Sequence, residues 1–447
     1  MFPVRIRRIT ILFIVAIIGA GSLVPAAFAS EKTKGLAISP DALTLEKCVA
    51  IALSYSPNIL ASSSDVESQR AEVEQAATQQ RGKLQASASY SYSHDARKES
   101  GRIETDLSFS QSIFDWNRTN LSVKGAKQEL AAKIQDEENT RQTVIYDVMT
   151  AYYSLNRASR MADIASERVE NHRKRLKWAQ DFYRVGTKAK IEETKAQTDL
   201  SNARFDLVAA QGARQKAVSA LAFAMGQPTV TPNDVADELE VKPYVVAPEE
   251  ALSLAMENRP DLKGMDARIE ASRTSLALAG KGLSPSLAGG AGYSFYGESD
   301  PFENKGWQLK VSLNLPILDG GLTKARTKGA SAALRGALAR REGLRQSVIL
   351  SVRTAFASLS EANEAVAAAS ESERLAAETL RLAQGRYRSE VGDSLEISDA
   401  VDGYAKARMN MVQALYNQMA AIVELRKVTG TLLPDRERDR PEKWIKR

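Results

Sequence analysis

The sequence predicts a mainly α fold made of a duplicated helix–β-hairpin–helix unit, with four strands per chain that suit a transmembrane β-barrel. Three observations predict it. The chain aligns with itself at a shift of 204 residues, each copy carries a long alanine-filled heptad run, and each carries two short stretches alternating strictly between apolar and polar positions. Of its 447 residues, 43% are hydrophobic and 26% are charged, which is enough apolar content for a large folded chain. One cysteine excludes an internal disulfide, and two histidines leave little for a His-based metal centre or catalytic triad. The net charge of +6 draws three positive charges from Arg5, Arg7 and Arg8, and the remainder is too weak and dispersed to bind nucleic acid.

Residues 1–29 read as a cleaved signal peptide. The basic segment precedes the apolar run Ile9 to Ile18, and Ala27-Phe28-Ala29 forms a small-residue cleavage site before Ser30. Cys48 lies well downstream, inside the helical run LEKCVAIAL, and reads as a packed helix residue rather than a lipidation site. No later run reaches 18 apolar residues, so further membrane contact must use strands or a surface helix.

The first repeat is expected over 30–230, a connector over 231–246, the second repeat over 247–431 and a C-terminal tail over 432–447. From Val144 the apolar positions step alternately by four and three through Val148, Ala151, Leu155 and Ala158 to Tyr183. Their counterparts run from Val348 through Val352, Ala355, Leu359 and Ala362 to Tyr387, and nine of twelve pairs are identical without a gap. That spacing is a heptad seam, and alanine lets helix axes approach closely. It predicts long helices from about Asn120 to Tyr183 and from about Lys324 to Tyr387. His172 falls on the seam opposite Ala376 and reads as packed, without nearby metal ligands. Gln135 to Thr143 lacks an apolar stripe, which predicts a helix wetted on more than one side.

Ahead of each long helix, strands are expected at about 84–94 and 104–114, and at about 285–296 and 306–317. Ala86, Ala88, Tyr90 and Tyr92 alternate with serines, as do Leu107, Phe109 and Ile113. In the second copy Leu287, Ala291, Tyr293 and Phe295 share one face, and Trp307, Leu309, Val311, Leu313 and Leu315 oppose Gln308, Lys310, Ser312 and Asn314. One oily and one wet face suit a barrel wall, with Tyr90, Tyr92, Phe109, Tyr293, Phe295 and Trp307 as lipid-facing residues. Four strands cannot close a barrel, since about eight is the minimum. Several chains must therefore contribute.

These features together resemble the TolC-type outer-membrane efflux family over about Leu43 to Leu433. The resemblance is carried by LTLEKCVAIALSYSPNI from Leu43 and its echo APEEALSLAMENRPDL from Ala247, and by the junctions SQSIFDWN from Ser110 and LPILDGGLTKA from Leu315. FYRVGTKAKIEETKAQTDLSNAR from Phe182 and RYRSEVGDSLEISDAVDGYAKAR from Arg386 resemble the family's tip-and-return segments. The resemblance implies a homotrimer with a twelve-stranded barrel on a coiled-coil periplasmic tunnel, in the outer membrane of a Gram-negative bacterium. It also implies a periplasmic adaptor, an inner-membrane RND or ABC transporter and outer-membrane lipid as partners. On it, Val185, Gly186 and Thr187 with Val391, Gly392 and Asp393 are the adaptor-docking tips. Glu396 and Asp399, with their first-copy counterparts Glu192 and Lys195, become the periplasmic gate. The segments 227–246 and 432–447 become a belt around the tunnel. The Val-Gly pair of the second tip lies two residues further from its tyrosine than that of the first.

Chemistry is not expected. GGAGYSFYG lies in a strand pattern, without the strand–loop–helix context of a nucleotide fingerprint, and no nucleophile–base constellation is visible. Carboxylate pairs such as Glu249/Glu250 sit near helix starts, where acids offset the helix dipole. The expectation is a passive conduit without cofactor or metal. The alternative is a periplasmic coiled-coil adaptor lacking a barrel.

Overall fold

The computed structural model describes residues 43–432, except 96–97, 229–234, 238, 242–243, 245 and 299–301. The expected signal peptide at 1–29, most of the expected C-terminal tail and part of the expected connector lie outside the described residues. The first copy comprises α1 (Leu45–Tyr55), α2 (Pro57–Ala77), a 3-10 turn at Thr78–Gln80, β1 (Lys83–Asp95), β2 (Lys98–Phe114), α3 (Arg118–Arg184) and α4 (Lys190–Ala224). The second comprises α5 (Pro248–Asn258), α6 (Pro260–Ala279), β3 (Ser286–Gly297), β4 (Asn304–Asn314), α7 (Leu322–Arg388) and α8 (Ser394–Val428).

Local chemistry sets the breaks. Pro57 and Pro260 each open a helix, and the residue before each, Ser56 and Arg259, is held extended at ψ 121° and 124°. At the strand-to-helix junctions Asp115 and Asp319 take the same role one repeat apart. The Thr119 amide donates to Asp115 Oδ2 at 2.8 Å, and the Thr323 amide donates to Asp319 Oδ2 at 2.7 Å. Burial opposes ionisation of Asp115, but the Thr119 hydroxyl and amide hold its carboxyl below the usual range.

The two long helices have 67 residues each and the two return helices 35 each, so the duplication persists in element length. At 1.5 Å per residue, α3 and α7 are each roughly 100 Å long. Their heptad positions form the core: Val148, Leu155 and Ala165 are buried on α3, and Val348, Val352 and Leu359 on α7. Helix α3 packs on α4 and also on α8, while α7 packs on α8 and α6.

The segment Gln135 to Thr143 departs from the sequence expectation. It is half-buried rather than wetted on several sides, because α6 lies along this part of α3. Polar groups carry that contact. Arg268 pairs with Asp136, and the Thr274 hydroxyl donates to Gln128 Oε1 at 2.6 Å. An apolar stripe was therefore unnecessary for packing.

The four strands form one antiparallel sheet in the order β1-β2-β3-β4, with β2 beside β3 although four helices intervene in the chain. Strand β2 begins at Lys98, earlier than the alternation suggests, because its ladder with β1 continues through polar residues to the pair Asp95 and Lys98. A ladder is made of backbone hydrogen bonds, so it does not require apolar side chains. Strand β4 ends at Asn314, so Leu315, Ile317 and Leu318 follow it as exposed junction residues.

Candidate functional site

Register gathers most of the sheet's aromatic residues on one face, Tyr296 being on the other. Tyr90 lies opposite Ile103, Leu107 opposite Tyr293, Phe109 opposite Ala291, and Tyr293 opposite Trp307. Phe295 shares the face and meets Tyr293 edge-on at 4.9 Å between ring centroids. Beyond Trp307, at 74% exposed, the face continues through Leu309 and Val311, equally open, to Leu313 at 67%. The opposite face bears Gln85, Ser87, Ser108 and Gln308, and Arg102 stacks over Tyr296 at 4.5 Å. Within the described sheet, β1 and β4 each pair on one side only, leaving two open edges. Such edges beside an oily face demand a further partner strand.

At the far end of the long helices both reversals use one hydrogen-bond pattern. In the first, the Gly186 amide donates to Tyr183 O at 3.1 Å and the Thr187 amide to Phe182 O at 3.0 Å. In the second, the Glu390 amide donates to Tyr387 O at 3.1 Å and the Val391 amide to Arg386 O at 3.1 Å. The 204-residue register therefore survives the tip. Glu390, not Gly392, occupies the left-handed position of Gly186, at φ 60° against 79°. The second reversal spans 389–393, with Ser389 and Glu390 at its turn and Val391, Gly392 and Asp393 completing it. Asp393 is the helix N-cap, accepting from the Leu395 amide at 3.4 Å.

A polar cluster beneath the tips joins α3, α4 and α8. The Arg175 guanidinium, fully buried, pairs with Asp199 and donates to Ser398 Oγ at 3.0 Å and Ser394 Oγ at 2.9 Å. Tyr387 of α7 packs beside it, edge-on to Phe182 at 5.6 Å. Burial and the nearby Glu192 carboxylate push the Tyr387 hydroxyl above its ordinary value. Further along the seam, Arg168 reaches Asp402 Oδ1 at 2.8 Å and Asp206 Oδ2 at 2.5 Å, and His172 Nε2 lies 3.3 Å from Asp402. Burial favours the neutral Asp402, but His172 and Arg168 hold its carboxyl below the usual range. His172 is thus a buried seam residue with an acidic partner. No group of three or more metal-ligating His, Cys, Asp or Glu side chains occurs among the described residues.

The four proposed gate residues do not converge within one protomer. Glu396 and Asp399 are exposed and share a groove of about 570 Å³ between α7 and α8 with Tyr404 and Lys406. Glu396 pairs with Arg386 across the second tip at 2.9 Å. Glu192 is turned toward Tyr387 instead, and Lys195 is exposed on α4, with no ion pair to Glu396 or Asp399 among the described residues. Sequence reasoning missed Arg175, Asp199, Ser394, Ser398, Arg168 and Asp402. The available signal was a departure between copies, since Arg175 stands where the second copy has Thr379, and Asp402 where the first has Thr198.

The family profile described as "Outer membrane efflux protein" matches residues 49–227 and 251–431, which together are most of the chain. Outer membrane protein TolC of Escherichia coli (strain K12) is 24% identical over 406 residues, covering 84% of this chain and 80% of that protein. Outer membrane protein OprJ of Pseudomonas aeruginosa is 23% identical over 326 residues, covering 70% of this chain and 67% of OprJ. Among solved structures, the Campylobacter jejuni CmeC outer membrane channel superposes with a TM-score of 0.76 at 18% identity, covering 87% of this chain and 85% of that one. At such identity the superposition speaks for the fold. A periplasmic adaptor is set aside by the duplicated profile match, which falls on the two helix–hairpin–helix copies, and by the two-faced sheet with open edges. The chain therefore belongs to the outer membrane efflux protein family and is an outer-membrane exit duct.

Proposed function

We propose that three copies join sheet edge to sheet edge into a twelve-stranded barrel, which continues into a tunnel of long helices and conducts substrates passively out of the cell. The observation that carries this is the sheet itself, with an aromatic outer face, a serine-rich inner face and two open edges. Tyr90, Tyr92, Phe109, Tyr293, Phe295 and Trp307 would meet outer-membrane lipid. The signal peptide at 1–29 would be cleaved on export. One relative is named a toluene efflux pump outer membrane protein. A tripartite efflux or type I secretion assembly, with a periplasmic adaptor and an inner-membrane RND or ABC transporter supplying the energy, is the matching role.

The tips supply the adaptor contact in this reading, because the coiled coils end there in exposed Val185 and Val391. The acids Glu396 and Asp399, three of each near a threefold axis, would favour cations at the aperture. Lys195, carried by the equivalent position of the other hairpin, would offset part of that repulsion across neighbouring copies.

Membrane fractionation followed by mass measurement in detergent tests the assembly: an outer-membrane trimer is expected, and a stable soluble monomer would overturn it. Gly186→Trp should weaken cross-linking to the adaptor without loss of trimer, and undiminished cross-linking would remove the tip from that interface. Single-channel recording tests the gate. Glu396→Ala with Asp399→Ala should lower cation selectivity and divalent block, and wild-type selectivity would place these acids elsewhere.

A further inference from the structure

The level at which sheet gives way to helix carries an unbalanced charge. Beyond Arg118 the first acid on α3 is Glu129, and α7 carries Lys324, Arg326 and Lys328 with no acid before Glu342. Arg81 stands between the 3-10 turn and β1, and Lys281 lies just past α6, so four separate stretches of chain bring cations here. Lys124 and Lys328 are one repeat apart and hold the same place in their helices. Arg81, Lys124, Lys324, Arg326 and Lys328 are exposed, and Lys281 is half-buried. The two acids of the junctions, Asp115 and Asp319, are engaged by the Thr119 and Thr323 amides. Among the described residues none of these six cations has an acidic partner.

The fold does not account for them. Cations in the first turns of a helix oppose its dipole, and α1, α4, α5, α6 and α8 instead place acids there, such as Glu46, Glu192, Glu249, Asp261 and Glu396. Neither α3 nor α7 has an acid in its first turn. Like charges gathered on several elements repel one another unless an anion joins them.

The neighbouring surface identifies that anion. The oily face of the sheet runs to this level through Phe109 and Ile113, and it ends at Phe114 and Trp116, whose rings meet edge-on at 4.6 Å and are exposed. A tryptophan with an apolar ring and a polar N–H suits the boundary between acyl chains and headgroups. Lys124 and Lys328 each lie about 9 Å past their helix starts at 1.5 Å per residue. Their alkyl stems can reach back to a headgroup layer roughly 5–7 Å deep.

We propose that Arg81, Lys124, Lys281, Lys324, Arg326 and Lys328 form a collar for the phosphodiester of an anionic phospholipid, in the leaflet on the helical side of the barrel. Phe114 and Trp116 cover the start of its acyl chains. This rests on the barrel reading and adds a lipid class to it. A free phosphate has the charge but nothing to cover the apolar rim, and a neutral lipid has the chains but no net charge to match the collar.

The test uses the full-length exported protein in detergent, supplied with phosphatidylglycerol or phosphatidylcholine of identical acyl chains and read by native mass measurement. The trimer should retain phosphatidylglycerol at least about tenfold more tightly. Lys124→Gln, Lys324→Gln, Arg326→Gln and Lys328→Gln together should bring the two lipids to within about twofold of each other. Lys174→Gln, Lys177→Gln and Lys216→Gln together, far along the helices, should leave the preference unchanged. A trimer that retains both lipids equally, or a preference that survives in the collar variant, overturns the site. Displacement of the lipid by an equal concentration of glycerol phosphate overturns the lipid as occupant in favour of the free anion. A collar variant that keeps its lipid preference but changes ion selectivity in single-channel recording places these cations on the conduit and overturns the collar. A monomer by mass in either lipid overturns the barrel reading itself.

Discussion

The two copies build the same backbone from different residues, and their reversals show it most clearly. At the tip the first copy places Gly186 and the second Glu390 in the left-handed region. At the strand-to-helix junction the choice is exchanged: Trp116 and Asn117 hold φ 55° and 71° where Gly320 and Gly321 hold 62° and 86°. A positive φ is therefore imposed by the surrounding hydrogen bonds and helix starts, and glycine only makes it easier. The seams teach the complementary lesson. Where the copies differ in side chain but not in backbone, as at Arg175 and Thr379, the difference marks which helices each copy meets.

The largest test of this contrast is Arg175→Ala, which leaves Asp199 without its buried cation and should destabilise the helical bundle by about 3 kcal/mol. Thr379→Ala, one repeat away, should stay within about 0.5 kcal/mol. Denaturant midpoints followed by helical circular dichroism would compare them, and equal losses would mean that Arg175 does not join the repeats. An intermediate effect belongs to Asp402. Its charged form is favoured in the fold, so its contribution is present above its ordinary pKa of 3.8 and is lost as falling pH protonates it below that value. Asp402→Asn should cost about 1 kcal/mol at neutral pH and flatten the acid limb of the stability profile. Thr198→Asn should leave that limb unchanged. The smallest effect is at the tips: Glu390→Gly should stabilise by up to about 1 kcal/mol by relieving the left-handed strain, and Gly186→Glu should destabilise by a similar amount. Melting temperatures of the two variants moving the same way would break the equivalence of the turns.

Much of this fold was legible because it is periodic. Heptads running to Tyr183 and Tyr387 set the long helices to within a residue or two, and period-two alternation placed Tyr90, Tyr293 and Trp307 on one face. What stayed hidden has no local period. The Arg168–Asp402 and Arg175–Ser398 links join positions more than 200 residues apart, on separate coiled coils, and nothing near either residue announces its partner. That Glu390 takes the left-handed position of the second tip was equally hidden, because the hydrogen-bond register, not a glycine, places it there. Gln135 to Thr143 misled for a related reason: a helix can pack through polar pairs such as Asp136 with Arg268.

The pairing of β2 with β3 also bears on the order of folding. Phe114 meets Leu287 only after α3, α4, α5 and α6 have been threaded between them, whereas β1 and β2 are joined by a hairpin, as are β3 and β4. Closing the longer excursion is entropically dearer, and contacts of such sequence separation form slowly. The two hairpins and the helical pairs therefore become structured before the middle of the sheet does. In pulse-labelled hydrogen exchange, amides of β2 that face β3 should gain protection after those that face β1, and simultaneous protection would contradict that order. Until that central rung closes, each half carries an exposed ladder on both sides, so the nascent chain is at its most vulnerable to mispairing before it has a complete sheet of its own.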